Sequence, residues 1–124
     1  MSLILIVEDN EKNMKLVRDI LQAKGYQTLE AVNAEDGVKL AAEKNPDLVL
    51  MDIQLPGMSG IDAIGVLRAD AATAAIPVVA VTASVMPQDR NKIMEAGFDA
   101  YIGKPINLKE FLDTVRNMLE KQSQ

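Results

Sequence analysis

The sequence predicts an α/β fold, a doubly wound five-stranded parallel sheet with five helices. Three observations lead there. Short aliphatic and β-branched runs alternate with segments of helical period along the whole chain. The runs LILIV, LVLM and IPVVAVT are apolar on both faces, as strands covered by helices on each side are. Asn, Gly and Pro signals punctuate the junctions.

The first run, 3–7, is too short for a helix and reads as a strand. Leu16, Val17, Ile20 and Leu21 then form a helical stripe, with Asn10 as its N-cap and Gly25 as its stop. Residues 26–31 read as a more polar strand at a sheet edge, and 34–44 as a helix capped by Asn33 and ended at Asn45-Pro46. DLVLM is the third strand; the third helix follows Ser59, whose hydroxyl and the carboxylate of Asp62 resemble a capping box. Residues 76–82 make the fourth strand, and 87–97 a weakly amphipathic fourth helix between Pro87 and Gly97. A short strand at 100–103 precedes a last helix, introduced by Asn107 and Glu110.

Composition bounds the function. At 124 residues the chain is expected to be one domain, 1–124, with its own core. A hydrophobic fraction of 48% with 25% charged residues argues against disorder. The net charge of −5, without a basic stripe, argues against nucleic acid as a partner. There is no Cys and no His, which removes thiolate chemistry, imidazole metal sites and Ser-His-Asp catalysis. No apolar run approaches the roughly 20 residues that span a bilayer, and the first strand leaves no room for a signal peptide. No membrane partner and a cytoplasmic location are expected.

Ligands of open α/β sheets bind outside the carboxyl ends of the strands. Glu8 and Asp9 follow strand one, Asp52 ends strand three, Thr82 ends strand four, and Lys104 follows strand five. Singly, each reads as a helix cap, a strand former or a surface lysine. Their shared position argues otherwise, because caps and surface residues have no reason to converge. Three crowded carboxylates need cations. Lys104 offsets one charge, and a hard divalent ion with oxygen ligands and retained waters offsets the rest, which describes Mg²⁺, with Mn²⁺ as the alternative. Such a pocket suits a dianionic phosphoryl group, with the apical carboxylate as nucleophile.

In that order and spacing, ILIVEDNEKNMKL, PDLVLMDIQLPGMSG, IPVVAVTA and YIGKPI resemble the receiver domain of two-component response regulators. The resemblance covers essentially all of the chain. It implies a flavodoxin-like sheet of strand order 2-1-3-4-5. It implies Asp52 as phosphoacceptor; Asp9, Asp52 and the Gln54 carbonyl as Mg²⁺ ligands; and Glu8 acting on the metal through water. Lys104, in a cis bond to Pro105, and Thr82 would contact the phosphoryl group, with Thr82 and Tyr101 as the switch pair. Gln54 and Ser84 occupy positions that tune dephosphorylation. Met14, at the flank of the first helix's stripe, is expected to be half exposed and to dock a partner.

Within the family the chain is most similar to single-domain cell-cycle regulators of the DivK type, although receivers of hybrid histidine kinases carry close variants of the same segments. The expected function is a phosphorelay switch. A histidine kinase or histidine phosphotransferase donates the phosphoryl group, and a downstream target reads it on helix four, strand five and helix five. No output domain, and a monomer or weak dimer, are expected. The protein catalyses only its own phosphoryl transfer and autodephosphorylation and is not an enzyme on other substrates. A Mg²⁺-dependent phosphatase of the haloacid dehalogenase type would need a second Asp where Gln54 stands.

Overall fold

In the computed structural model, which describes residues 2–83 and 87–122, every apolar run becomes a strand and every helical segment a helix. In chain order these are β1 (Leu3–Val7), α1 (Glu11–Ala23), β2 (Gln27–Ala31), α2 (Ala34–Lys44), β3 (Leu48–Asp52), α3 (Gly60–Ala69), β4 (Val78–Thr82), α4 (Pro87–Ala96), β5 (Ala100–Gly103) and α5 (Leu108–Gln122). The sheet order is β2-β1-β3-β4-β5 and every pairing is parallel. The expected topology is present.

Strand alternation sorts the core into two halves. Leu5, Val7, Val49, Met51, Val78 and Ala80 face α2, α3 and α4. Ile4, Ile6, Leu50, Val79 and Val81 face α1 and α5, whose Met14, Val17, Leu21, Phe111 and Val115 cover them. β3 and β4 are buried at every position, whereas β2 and β5 at the edges are partly exposed.

The caps work as local chemistry dictates. Side-chain oxygens of Asn10, Asn33, Ser59 and Asn107 accept from the backbone N–H three residues on, at 3.1, 2.8, 3.1 and 3.1 Å. α2 ends with Asn45 at φ 50°, and Gly97 follows α4 at φ 118°.

Three expectations need correction. The buried stripe of α1 is Met14, Val17 and Leu21, while Leu16 is 46% exposed. Met14 is therefore core at 5% exposure, not the half-exposed docking residue expected of it. β4 begins at Val78, because Pro77 has no N–H to enter the ladder. β3 runs through Asp52, so the acid is the strand's last residue, as expected.

Candidate functional site

Register brings the strand exits together. Asp52 lies opposite Val81 across the β3–β4 pairing, and Thr82 opposite Gly103 across β4–β5. The N–H of Lys104 donates to the Thr82 carbonyl at 2.8 Å, and that of Glu8 to the Ala31 carbonyl at 3.0 Å. Each chemical side chain thus leaves the sheet from a hydrogen-bonded backbone.

Lys104 is the bridge. Its Nζ donates to Glu8 Oε1 at 3.0 Å and to Asp52 Oδ2 at 3.1 Å, with both carboxylates almost fully buried. Asp52 Oδ1 accepts the Gln54 N–H at 3.0 Å, so both oxygens of that carboxylate are oriented. Asp9 is exposed and completes the cluster: one carboxylate oxygen each from Glu8, Asp9 and Asp52 lie within 4.8 Å of one another. Thr82 is 2% exposed at the end of β4. The Lys104–Pro105 bond is cis.

The charges do not balance within the protein. Burial, with the Asp52 carboxylate alongside, pushes the Glu8 carboxyl up to about 7 against the opposing pull of Lys104. Burial disfavours the ammonium of Lys104, but Glu8 and Asp52 together outweigh it and hold the group above its ordinary pKa. Among the described residues, Glu8 Oε2 is buried without a hydrogen-bond partner, a costly arrangement unless something else meets it. An unpartnered buried oxygen among three converging hard-oxygen donors fits Mg²⁺. A groove of about 370 Å³ opens from Glu8 and Asp9 along α1, lined also by Glu11, Arg18 and Val32.

The loop after Asp52 is drawn tight. The N–H of Gly60 donates to the Ile53 carbonyl at 3.0 Å. A Cβ at Gly60 would stand 2.6 Å from the Asp52 carbonyl oxygen and 2.8 Å from Ile53 Cα. Only glycine lets α3 start this close to the strand that ends in Asp52.

Comparison with known proteins decides the family. The profile described as "Response regulator receiver domain" matches residues 4–116. The chain belongs to the response regulator receiver domain family. It is 47% identical over 116 residues, 94% of each chain, to the polar-differentiation response regulator DivK of Brucella anthropi. Among solved structures it is similar to a putative response regulator from Chloroflexus aurantiacus, at TM-score 0.92 and 26% identity over 96% of this chain and 98% of that one. It is also similar to the receiver domain of a Pseudomonas aeruginosa sensor histidine kinase, which has a magnesium ion coordinated in its active-site cleft. That match has TM-score 0.90 and 28% identity, over 96% and 98% of the two chains. This receiver is of the DivK type and is a signalling protein of the two-component class.

The remaining candidate residues of this receiver fall in different places. Tyr101 is half-buried in β5, opposite Ala80, with its ring packed against the core half that α4 covers. Gln54 is exposed beside Asp52. Ser84 lies outside the described residues. Among the described residues, no helix is long and apolar enough to cross a membrane.

Some of the structure's organising groups carry no local signal in the sequence. Arg68, in the last turn of α3, donates to the carbonyls of Ala74, Ile76 and Gly97 and to Asp99 Oδ2. Asp99 Oδ2 also accepts the Val78 N–H at 2.8 Å. An arginine ending a helix and an acid before a strand read as solvated charges, since nothing in the sequence marks partners this far apart. Thr73 is 1% exposed and donates to the Leu67 carbonyl at 2.6 Å, in a stretch with no pattern of its own.

Proposed function

We propose that this receiver is a phosphorylation-controlled switch in which Asp52 accepts a phosphoryl group from a partner's phosphohistidine. The observation that carries the proposal is the single ammonium of Lys104 shared by Asp52 and Glu8 at 3.1 and 3.0 Å, with Asp9 converging on the same point. A structural salt bridge needs one carboxylate. Three carboxylates around one lysine are a site short of positive charge.

Asp9 and Asp52, with the Gln54 carbonyl, would hold Mg²⁺, and Glu8 would act on it through water. The bound ion supplies positive charge against the oxygens of the transferring phosphoryl group. The chain's own residues do the rest. The Gln54 amide and Lys104 orient the Asp52 carboxylate, and one of its oxygens bonds to phosphorus as the phosphorus–imidazole bond breaks. The electron pair of that bond stays on the departing nitrogen. Lys104 exchanges its Asp52 contact for a phosphoryl oxygen, and Thr82 offers a hydroxyl from the neighbouring strand. Gln54, exposed beside the acyl phosphate, and Ser84 would set how easily water reaches it.

The new contacts are large enough to operate a switch. Moving a population from 1:99 to 99:1 takes about 5.5 kcal/mol, and two charge-assisted hydrogen bonds contribute roughly 1.5–3 kcal/mol each. The displaced elements would be the loop after β4 and Tyr101, read by a target protein on α4, β5 and α5. The output proposed for this receiver domain is protein binding, and the match to the DivK relative over 94% of that protein's own length supports this reading. Incubation with acetyl phosphate and Mg²⁺ is expected to give a base- and hydroxylamine-labile adduct that Asp52→Asn lacks. An Asp52→Asn protein labelled at the wild-type rate removes Asp52 as acceptor.

A further inference from the structure

Two of the contacts that hold helix α4 to the fold differ in kind. At its far end the Gly97 carbonyl accepts from Arg68 Nε at 3.1 Å and Nη2 at 3.0 Å. The same guanidinium holds the Ala74 and Ile76 carbonyls at 2.9 and 2.6 Å and the Asp99 carboxylate at 2.8 Å. Through Asp99 it also reaches the Val78 N–H, where β4 begins. This end of α4 is therefore fixed to the entries of β4 and β5, at the edge of the sheet opposite Asp52.

The second point lies nearer the site. Arg90 places its guanidinium carbon 5.6 Å from the centre of the Tyr101 ring, inside the roughly 6 Å reach of a cation–π contact. Arg90 is exposed and Tyr101 is half-buried. Between the two points α4 is lightly held: among residues 88–96, Ile93 alone is buried. Arg90 and Gly97 are about 10 Å apart along the helix axis at ~1.5 Å per residue. A turn of roughly 17° about Gly97 therefore displaces Arg90 by about 3 Å. The two attachments differ in what can undo them. Arg68 holds backbone carbonyls at the entries of β4 and β5, whereas Arg90 holds a side chain that a rotamer change removes.

We propose that Arg90 is a positioning residue, tying the site-proximal half of α4 to the place of the Tyr101 ring, with the Arg68–Gly97 clamp as the fixed end about which the helix turns. The inference rests on the switch reading above, in which Tyr101 changes place when Asp52 is phosphorylated. The contact then exists in one arrangement of the receiver and is lost in the other, so Arg90 sets part of the balance between them.

The test is a double-mutant cycle on the affinity for beryllofluoride, a phosphoryl mimic, at saturating Mg²⁺. The proteins are wild type, Arg90→Met, Tyr101→Leu and the double variant. Arg90 is exposed and Met keeps its aliphatic stem, so folding is not at stake at that position. A conditional contact makes the cycle non-additive by about two- to fivefold in Kd, the size of an exposed cation–π pair. Tyr101→Phe keeps the ring, and in that background Arg90→Met is expected to have its wild-type effect. An additive cycle means the pair is the same in both arrangements and overturns the proposal while leaving the phosphoacceptor reading intact. If wild type and Asp52→Asn bind beryllofluoride equally poorly, the phosphoacceptor reading fails and this inference fails with it.

Discussion

Glu8 shows at the scale of one residue what the pocket lacks. One oxygen meets Lys104, and the other is buried without a hydrogen-bond partner among the described residues. Burial and Asp52 raise its carboxyl from 4.5 to about 7. An acid whose folded pKa is raised binds its proton more tightly in the native state, so the neutral form is the one folding favours. Its contribution to stability is therefore complete below about pH 4.5 and is lost as the pH rises toward about 7. In chelator, the melting temperature of wild type is expected to fall relative to Glu8→Gln across that window, because glutamine cannot ionise. Parallel profiles for the two proteins would show that Glu8 does not carry the shift. The sequence marks Glu8 as a strand-exit acid and, by resemblance, as a partner of metal-bound water. It does not mark the direct contact with Lys104, which lies 96 positions away.

At the scale of elements, local chemistry was readable and packing partners were not. The Asn and Ser caps, the Gly and Asn stops and the edge character of β2 all follow from rules that act within a few residues. The face that α1 buries did not follow. Leu16 and Ile20 fit an apolar stripe as well as Met14 does, and only the packing of β1, β3 and α5 selects Met14, Val17 and Leu21. The contact between α3 and the end of β3 is equally invisible, since Ser59-Gly60 reads as a cap and nothing more. Gly60→Ala tests it. The added methyl would meet the Asp52 carbonyl oxygen at 2.6 Å and Ile53 Cα at 2.8 Å, both backbone atoms that cannot step aside. A loss of about 1–3 kcal/mol in denaturant unfolding is expected, the usual cost of overpacking, together with slower labelling by acetyl phosphate. Wild-type stability and labelling would mean that β3 and α3 can separate without disturbing Asp52.

At the scale of the whole molecule, a parallel sheet delivers every strand exit to one edge, which is why the site could be read before the structure. Four exits carry Glu8, Asp52, Thr82 and Lys104, and topology alone brings them within reach of one another. The distribution of buried surface is what makes that edge chemically useful. β3 and β4 are buried at every position, so Asp52 and Thr82 are held at the ends of the two most deeply packed strands. The fold therefore spends stability on carboxylate crowding that a bound cation would relieve. Any ligand that binds the native state alone raises its stability by RT ln(1 + [L]/Kd). At ten times its Kd, Mg²⁺ is expected to add about 1.4 kcal/mol, or a melting-temperature rise of roughly 3–6 °C for a domain of this size. The rise should grow between pH 5 and 7, as Glu8 has to give up the proton it holds in the metal-free protein. Asp9→Ala removes an exposed ligand with little effect on packing, so it should fold normally and lose most of the Mg²⁺ response. An Asp9→Ala protein that gains as much from Mg²⁺ as wild type would mean that the cation acts by screening the net charge of −5 and not by binding among these three carboxylates.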